Sequence, residues 1–593
     1  MDYDIVGNKT IGLWFYEHRT ERREMVSKQE IISSLSKFQY KQHIPKGVST
    51  ICKDTISFKD TLYPEQIEVI EEIFNRINDT YTYVLELPTG YGKSVIAMAV
   101  AILLYSMGKL DIKRNRSIVL TNRLALQDQY IASFPYLFNV KGRSQYSCVI
   151  DGINNLKPIE QGPCFTDPDF ICNKEAVCAY KLSHDIVRSQ YETYNKPIPI
   201  ISTNYAWYLS HRFNYNYRTI DGIQIFDEVH VLPQLLMNTY NIDLNSLQSK
   251  YLMAFNLTKE YIIDLVDRKF VENKIKSLSQ ITTVPELLEV HKIIMTCGIY
   301  DAVKSIVEAN SFSHSDLRAY NMLVDTTTVI DTYKLLQSQA KNNVEITYCD
   351  GHFLINPLSS IINCMTEYSQ YNLLMTGTTE EKYMMDNLLA DHKRSKHYIA
   401  KGSLFDADNR KILVLGETRL GSSSFEDENT VSHLLNLVQI IMNHHSNERG
   451  VILTNSYEQT ELIARLGSDR FIVQHKGDNL EGILEQFYDD ITNNKILISP
   501  AVSEGYDFKD DISRFQIIIK VPFLPPGTPQ HKVYGDDWYY NETMNKLVQM
   551  CGRSIRNKND YAITYILDRN IDLLLKNARP PGWWLESYNA TLP

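Results

Sequence analysis

A glycine-rich segment that ends in a lysine and a hydroxyl residue is the first part of this sequence that could do chemistry. It runs Glu86–Ser94, between an apolar run that predicts a strand and one that predicts a helix. In that setting, backbone N–H groups of the turn can surround phosphate oxygens at the helix N-terminus. Leu87 stands where the general phosphate-loop pattern has glycine. The segment predicts a nucleotide site in which Lys93 binds the β- and γ-phosphates and the Ser94 hydroxyl coordinates Mg²⁺. The residues predicted to contact the nucleotide are Pro88, Thr89, Gly90, Tyr91, Gly92, Lys93 and Ser94.

Two adjacent carboxylates follow a second apolar segment, Ile223–Phe226. A strand that ends in Asp227-Glu228 places both side chains at the carboxyl edge of a sheet, where ligands bind in open α/β folds. Asp227 would hold Mg²⁺, and Glu228 would orient or deprotonate an attacking water. A solvated acidic turn is the alternative for such a pair. The phosphate loop upstream favours a site that hydrolyses ATP.

Two arginines near the end of the chain have the spacing of side chains on one face of a helix. They belong to the segment Gln549–Arg556, which reads Gln-Met-Cys-Gly-Arg-Ser-Ile-Arg. Positions i and i+3 share a helix face, so both guanidinium groups could reach a phosphate across a cleft. An arginine that only pairs with surface carboxylates is the common alternative. We predict catalytic roles for Gln549, Arg553 and Arg556.

Four of the nine cysteines, Cys148, Cys164, Cys172 and Cys178, lie in one short segment. An odd number of cysteines in a reducing compartment argues against a disulfide framework. Four thiolates are the usual ligands of a 4Fe–4S cluster. Zinc also accepts four cysteines, but the close Cys-x₂₋₄-Cys pairs of structural zinc sites do not occur here. Ordinary buried thiols without metal are the third alternative.

These blocks resemble the motifs of the XPD/DinG family, the iron–sulfur DNA helicases of superfamily 2. The phosphate loop and Phe226–His230 resemble motifs I and II, and in that family an apolar residue often replaces the first glycine, as Leu87 does. Gln549–Arg556 matches Gln-x-x-Gly-Arg-x-x-Arg of motif VI. Lys141–Cys148 resembles the segment that leads into the family's iron–sulfur module, so the four cysteines would be its ligands.

Weaker matches follow in the order that the family has them. The Tyr63–Gln66 block resembles an adenine-side element in which Gln66 would hydrogen-bond the base. Thr121–Gln129 resembles motif Ia, which touches the DNA backbone, and Thr203–Tyr205 resembles Thr-Asn-His with tyrosine in place of histidine. The other matches are Met375–Thr379 (motif III), Leu453–Tyr457 (motif IV) and Ser503–Phe508 (motif V), the last with Glu504, Gly505 and Asp507 at the nucleotide site.

The resemblance implies an α/β protein with two tandem RecA-like P-loop domains, 61–400 and 401–593. A cysteine-rich module (140–185) and a helical arch-like domain (235–355) would be inserted in the first, and residues 1–60 are unassigned. The implied cofactors are ATP, Mg²⁺ and a 4Fe–4S cluster. The implied activity is 5′→3′ translocation on single-stranded and forked DNA with duplex unwinding, by a monomer. RNA is an alternative substrate. The alternative functions are a translocase with little unwinding, a nucleotide-binding scaffold with a decayed ATPase, and a P-loop kinase.

The elements that must position these residues are visible as apolar runs. Short β-branched runs alternate with amphipathic stretches, which is typical of parallel α/β domains. Trp207 and Tyr208 could stack on bases or belong to a core. The predicted strands are Tyr83–Leu87, Ser117–Leu120, Ile198–Ser202, Gly222–Phe226, Tyr371–Met375, Lys411–Leu415, Val451–Leu453, Ile496–Ser499, Phe515–Lys520 and Tyr561–Ile566.

Length and composition limit the classes of protein. The chain has 593 residues, 44% hydrophobic and 22% charged, so it should fold into roughly three or four domains. Its longest apolar run, Val95–Tyr105, is shorter than the about 20 residues that cross a bilayer, and we see no signal peptide. We therefore expect an intracellular protein. A net charge of −10 argues against a generally basic surface, but it is compatible with nucleic-acid binding because a motor can hold a strand in a local basic groove.

Overall fold

The computed structural model describes most of the chain, and every structural statement below concerns the part described. That part comprises residues 26–41, 55–77, 81–112, 115–148, 159, 162, 178–181, 183, 200–214, 221–232, 235–236, 241–259, 267–308, 345–356, 369–377, 395–400, 402–490, 492, 494–503, 506, 508, 510–555 and 560–589.

The strands and helices alternate along the chain. The strands are β1 (Gln39–Lys41), β2 (Thr55–Ser57), β3 (Thr82–Glu86), β4 (Ser117–Thr121), β5 (Phe138–Asn139), β6 (Ile201–Asn204), β7 (Asp221–Phe226), β8 (Ile242–Asp243), β9 (Glu345–Cys349), β10 (His352–Asn356), β11 (Ser369–Thr376), β12 (Ser395–Ile399), β13 (Ile412–Val414), β14 (Gly450–Leu453), β15 (Phe471–Val473), β16 (Ile496–Ser499), β17 (Phe515–Ile518), β18 (Ile563–Ile566) and β19 (Tyr588–Asn589). The α-helices are α1 (Lys28–Lys37), α2 (Pro64–Asn75), α3 (Lys93–Ser106), α4 (Leu124–Ser133), α5 (Tyr205–Asn214), α6 (Leu244–Thr258), α7 (Arg268–Lys276), α8 (Val284–Thr296), α9 (Ile299–Glu308), α10 (Glu428–His444), α11 (Tyr457–Ala464), α12 (Leu480–Tyr488), α13 (Pro529–Cys551), α14 (Ile571–Asn577) and α15 (Gly582–Ser587).

The first large sheet is parallel throughout, in the order β12-β3-β11-β7-β4-β6-β5. Every residue of β3, β4 and β7 is buried. Successive side chains of a strand point to opposite faces, so Val84 and Leu85 enter different apolar clusters. Burial on both faces explains why these strands read as continuous apolar runs. Their parallel direction brings the segments after β3, β7 and β11 to one edge.

Helix α3 explains the longest apolar run of the sequence. Residues 96–105 of this helix are all buried, because it packs among α1, α2 and the first sheet. Ile31, Leu35 and Ile56, which lie in the unassigned N-terminal stretch, belong to the same cluster. In the part of the chain that the structure describes, no helix is both long enough and apolar enough to span a bilayer.

The second large sheet is also parallel throughout, in the order β15-β16-β14-β17-β18-β13-β19. Its two faces carry separate clusters, one around Val438 and Ile441 of α10, the other around Leu547 and Val548 of α13. α13 consists of two helical segments joined at Gly535, whose φ of 80° breaks the helix. The motif VI residues therefore lie at the end of a helix packed on this sheet.

The stretch 235–355, predicted as helical, contains α6–α9 and also a small antiparallel sheet in the order β8-β10-β9. Asp350 and Gly351 join β9 to β10, both with positive φ (49° and 78°), as expected of an Asp-Gly hairpin turn. The strands are short and lie at the two ends of the stretch, so the helical composition between them hid them.

All ten predicted strands are confirmed, with ends displaced by a few residues at most. The strands of the two large sheets that the sequence did not predict are β5, β12, β15 and β19. These four are the edge strands of the two sheets. Edge strands are short and need not be apolar on both faces, which removes the signal on which the predictions depended.

Candidate active site

The phosphate loop joins the buried strand β3 to the N-terminus of α3. Gly90 and Gly92 have φ of 77° and 81°, a region that other residues rarely adopt. The Leu87 N–H donates to Thr376 O at 2.8 Å, so the loop is tied to the end of β11. A Cβ at Gly92 would lie 2.3 Å from Gln66 Nε2. Both glycines of the predicted loop therefore adopt a left-handed turn, and the Gln66 side chain occupies the space that a side chain at position 92 would need.

Gln66 lies beneath this loop and is 3% exposed. Its Nε2 donates to Tyr91 O at 2.8 Å, and its Oε1 accepts the Tyr63 N–H at 2.9 Å. The side chain thus connects the N-terminus of α2 to the phosphate loop. Hydrogen bonding of Gln66 to adenine, as the resemblance implies, stays a prediction.

Lys93, Asp227 and Glu228 meet at the carboxyl edge of the first sheet. Lys93 Nζ lies 3.7 Å from Glu228 Oε1, with side-chain exposures of 10% and 25%. Asp227 is 4% exposed. Glu228 adopts φ 51° and ψ 47°, an unusual region for a residue with a side chain. That conformation turns the chain after β7 and presents two successive carboxylates at the same edge as the lysine.

Burial raises the pKa of Asp227 to about 6, and the neighbouring Glu228 adds to that effect, while Lys93 and the Tyr130 hydroxyl oppose it. Among the residues that the structure describes here, the two carboxylates and the Lys93 ammonium group leave local negative charge. A hard cation with oxygen ligands would offset that charge, and carboxylate and hydroxyl oxygens are what Mg²⁺ prefers. The residues present therefore fit Mg²⁺, with Asp227 and the Ser94 hydroxyl as the groups that would hold it.

Two tyrosines that the sequence did not assign to the site hold Asp227. The Tyr130 hydroxyl donates to Asp227 Oδ2 at 2.9 Å, and the Tyr205 hydroxyl donates to Asp227 O at 2.8 Å. Both rings are buried. Tyr205 occupies the position where the resembling family has histidine. In the sequence, the only indication of a role for these residues was that each tyrosine follows the end of a predicted strand.

His230, also missed as a site residue, connects the two sheets. It is 3% exposed. Its Nδ1 lies 3.0 Å from Thr376 Oγ1 at the end of β11, and its Nε2 contacts the side-chain amide of Gln549 on α13. The sequence feature that could have indicated a role for His230 is its position in the Asp-Glu-Val-His block. The predicted catalytic residue Gln549 therefore reaches the first sheet through His230.

The motif VI segment packs directly on the phosphate loop. A Cβ at Gly552 would lie 2.7 Å from Thr89 Oγ1, and one at Gly90 would meet the Phe405 ring and, at 3.3 Å, Ile555 O. Arg553 instead turns back into the second sheet, where its guanidinium donates to Ser503 O and Tyr506 O at 3.1 Å each. Arg553 thereby holds the motif V segment. Arg556, Glu504, Gly505 and Asp507 lie outside the described residues.

A groove of about 290 Å³ lies at the carboxyl edge of the second sheet. Thr454, Ser503, Phe523 and Lys546 are among the residues that line it. It combines hydroxyl groups, an aromatic ring and an ammonium group. Trp207 and Tyr208, in contrast, are buried in the core beside the first sheet, so the alternative of core packing is correct for both.

Two of the four clustered cysteines, Cys148 and Cys178, are described, and both are buried. Tyr146 brings their segments together. Its ring lies 5.7 Å from that of Tyr180, and its carbonyl accepts the Ile159 N–H at 2.9 Å. A Cβ at Gly162 would lie 2.9 Å from Cys148 Sγ. Cys164 and Cys172 lie outside the described residues, so the predicted ligand set stays a prediction.

Two protein families match parts of the chain. The family described as "Type III restriction enzyme, res subunit" matches residues 59–260, and the family described as "Helicase C-terminal domain" matches residues 437–584. The first match covers the phosphate loop and the Asp227-Glu228 pair. The second covers the groove and the motif VI segment.

Similar proteins are named as helicases. The ATP-dependent DNA helicase CHL1 of Debaryomyces hansenii is 24% identical over 533 residues, covering 74% of this chain and 64% of that protein. The chl1 helicase of Aspergillus fumigatus is 23% identical over 424 residues, covering 62% of this chain and 50% of that protein. This chain thus spans between half and two thirds of the length of these relatives.

Solved structures show the same fold. The structure described as "XPD_Helicase" matches with a TM-score of 0.53 and 13% identity, covering 90% of this chain and 100% of that one. The Xpd4 structure of S. tokodaii matches with a TM-score of 0.50 and 14% identity, covering 87% and 99%. The two parallel sheets are therefore tandem RecA-like domains. The chain is therefore similar in fold to these XPD structures and similar in sequence to proteins named as ATP-dependent DNA helicases.

Proposed function

We propose that this chain is an ATP-dependent DNA helicase that translocates 5′→3′ on single-stranded DNA and unwinds duplex. The observation that carries the proposal is the constellation of Lys93, Asp227 and Glu228 on one sheet, with Gln549 and Gly552 from the other domain packed against it. A kinase would not need a second domain at this place. A scaffold with a decayed ATPase would not need the charged groups.

The roles of the side chains follow from their positions. Backbone N–H groups of residues 89–94 would bind the phosphates, and Lys93 would neutralise the charge that develops on them. Glu228 would orient the attacking water and accept its proton. Mg²⁺, held by Ser94 and Asp227, would supply charge stabilisation on the phosphate oxygens. Arg556 would contribute a guanidinium group from the second domain, while Arg553 would hold motif V in place.

Contacts between the domains support coupling of hydrolysis to movement. The indole N–H of Trp583 donates to Gly377 O at 3.2 Å, next to the His230–Gln549 contact. The motif VI glycine and the phosphate loop leave no room for a methyl group between them. Loss of the γ-phosphate would change the packing of both segments, so the two domains would separate and rejoin once per cycle.

The groove at the second sheet is the proposed path of the DNA strand in that domain. Hydroxyl groups and Lys546 would contact phosphates, and Phe523 would contact bases or sugars. In the first domain, the motif Ia segment would contact the backbone. The net charge of −10 fits this arrangement, because the positive charge is needed only along one strand. We propose a monomer that works inside the cell, with RNA as an alternative substrate.

The four clustered cysteines are proposed to hold a 4Fe–4S cluster. The supporting observations are the two buried thiols at the ends of the segment and the tyrosine that draws those ends together. The alternatives are that these cysteines bind zinc or that they bind no metal. A cluster module beside the arch-like stretch would form an opening for one strand and exclude the other.

Unwinding of tailed duplexes tests the function. With ATP and Mg²⁺, the chain should separate a duplex with a 5′ single-stranded tail and leave a 3′-tailed duplex intact, and Lys93→Ala should separate neither. DNA-stimulated ATP hydrolysis without strand separation would establish the translocase instead. ATP binding without any hydrolysis, with or without DNA, would establish the scaffold. Separation of the 3′-tailed duplex in preference to the 5′-tailed duplex would contradict only the proposed direction of translocation.

A further inference from the structure

Asp227 is held at four atoms, three of them by two neighbouring segments of the first domain and the fourth, Oδ1, by the Glu228 N–H at 3.0 Å. Its N–H donates to Leu120 O of β4 at 2.9 Å. Its carboxylate accepts from Tyr130, and its carbonyl accepts from Tyr205. The χ2 torsion of aspartate is broad, so hydrogen bonds decide which way the carboxylate faces. The Tyr130 hydroxyl is therefore in a position to set that direction.

The two tyrosines come from helices that start at the same sheet edge. Tyr130 lies on α4, which follows β4, and Tyr205 is the first residue of α5, which follows β6. β4 lies between β6 and β7 in the sheet. α4 also carries most of the segment that resembles motif Ia. A displacement of α4 would consequently move the hydroxyl that holds the Asp227 carboxylate.

The chemistry of the two hydroxyls fits a donor role. The Tyr130 hydroxyl faces a carboxylate oxygen at 2.9 Å and the Tyr205 hydroxyl faces a carbonyl oxygen at 2.8 Å. A carbonyl or carboxylate oxygen accepts hydrogen bonds, so both hydroxyls donate toward Asp227. Phenylalanine would fill the same space and remove only the donor.

We propose that Tyr130 and Tyr205 are positioning residues for Asp227, and that Tyr130 transmits the contact between α4 and nucleic acid to this metal-binding carboxylate. The proposal rests on the proposed function, since it needs a Mg²⁺-dependent nucleotide site. It assigns no contact of either ring with ATP.

The test compares Tyr130→Phe, Tyr205→Phe and Tyr105→Phe with the unmodified chain. Tyr105 is a matched control, because its buried hydroxyl donates to Asn115 O at 2.9 Å at the end of α3 remote from the phosphate loop. The readout is binding of a fluorescent, non-hydrolysable ATP analogue, titrated in EDTA and then with Mg²⁺. Outer-shell partners of metal ligands are worth about 10–100-fold. We expect the Mg²⁺ concentration for half-maximal binding to rise about tenfold in Tyr130→Phe, with binding in EDTA unchanged.

A second readout separates positioning from simple packing. Stimulation of ATP hydrolysis by single-stranded DNA should fall more in Tyr130→Phe than in Tyr205→Phe, because only Tyr130 lies on α4. Equal Mg²⁺ dependence in all four proteins would overturn the proposal. So would a loss of binding in EDTA that matches the loss in Mg²⁺. If the unmodified chain shows no effect of Mg²⁺ on nucleotide binding, the proposed function itself is wrong. Should Tyr130→Phe fail to fold, Tyr205→Phe gives the same Mg²⁺ test.

Discussion

Lys93, Asp227 and Glu228 must be considered together, because three ionisable groups share one poorly solvated space. The ammonium group offsets part of the repulsion between the two carboxylates. Removing one partner leaves buried charge without compensation, which costs far more than a surface ion pair is worth. Loss of Lys93 should therefore lower the stability of the fold as well as impair nucleotide chemistry.

Glu228→Gln tests the role of the second carboxylate. The amide keeps the volume but cannot accept a proton, so hydrolysis should fall by about 10²–10⁴-fold while ATP binding persists. Steady-state hydrolysis and titration with a fluorescent nucleotide measure the two effects. Glu289→Gln is the control, because Glu289 is an exposed glutamate in α8 with 64% side-chain exposure. Substantial turnover by Glu228→Gln would remove this residue from the mechanism.

Gly552→Ala tests the closed cleft. Gly552 has φ −90°, which alanine adopts without strain, so the nearest obstacle is the Thr89 side chain on the opposite domain, whose Oγ1 lies 2.7 Å from the new Cβ. We expect the melting temperature to stay unchanged and ATP hydrolysis to fall at least tenfold, about 1.4 kcal/mol in the barrier. Gly482→Ala is the matched control, since a Cβ there meets nothing within 4 Å. Unimpaired hydrolysis by Gly552→Ala would mean that the domains do not close in this way.

The residues that the sequence predicted are those whose chemistry is contained in one short segment. The phosphate loop and the Asp-Glu pair needed only a strand before them. The roles of Tyr130, Tyr205 and His230 depend on partners 97, 22 and 146 positions away, and no local spacing encodes such pairings. The contacts of Arg553 with the carbonyls of Ser503 and Tyr506 could not be read from its helical spacing either, and the phosphate contact that the spacing predicted stays a prediction.

At the scale of elements, burial on both faces decided which strands the sequence could predict. The central strands of both sheets are buried along most of their length and carry an apolar stretch of three or more residues or an alternation of apolar and polar residues, a pattern that needs no knowledge of the partner strand. β12 reads Ser-Lys-His-Tyr-Ile and pairs only with β3, so its outer side needs no apolar pattern. The small sheet of the 235–355 stretch was not predicted because β8 has only two residues. It is a strand only through its pairing with β10, which lies over a hundred positions later in the chain.

The C-terminal end of α10 contains a pH-sensitive contact. His445 stacks on Phe515, and its Nε2 lies 2.9 Å from the Tyr565 hydroxyl. Burial lowers the pKa of His445, although Glu448 opposes this effect. Because the folded state disfavours the protonated ring, its stabilising contribution is complete above the unfolded pKa of about 6.5. It is lost as the pH falls from there through the lower folded value.

His445→Gln should therefore change how stability depends on pH. The melting temperature of the unmodified chain should exceed that of His445→Gln by the largest margin near pH 8, and the margin should shrink toward about pH 5.5. Thermal unfolding at a series of pH values measures this difference. His433→Gln is a control on the same helix, because His433 is exposed. A margin that is constant with pH would show that the ring contributes only by packing.

At the scale of the whole molecule, the metal content decides the nature of the cysteine segment. If a cubane cluster is bound, protein purified without oxygen should be brown and contain about four iron and four sulfide per chain. Cys148→Ser should lose the colour, whereas Cys297→Ser, a buried cysteine of the helical stretch, should keep it. Colourless protein with one zinc ion per chain would show that the cysteines form a structural zinc site and do not hold an iron–sulfur cluster. Protein without metal, even when iron is supplied, would leave these residues as ordinary thiols.

An acidic chain that binds nucleic acid must concentrate its positive charge, and the groove of the second domain is where this can be measured. Lys546 lines the groove at the carboxyl edge of the sheet, whereas Lys411 precedes β13 at the opposite edge with 47% side-chain exposure. Each phosphate contact with a single strand contributes about −0.7 to the slope of log affinity against log salt. Lys546→Ala should therefore weaken binding of single-stranded DNA and reduce the magnitude of that slope by about 0.7, while Lys411→Ala should change neither. Fluorescence anisotropy of a labelled oligonucleotide over a range of salt concentrations gives both quantities. A slope that Lys546→Ala leaves unchanged would move the DNA path away from this groove and would not bear on the proposed nucleotide site around Lys93.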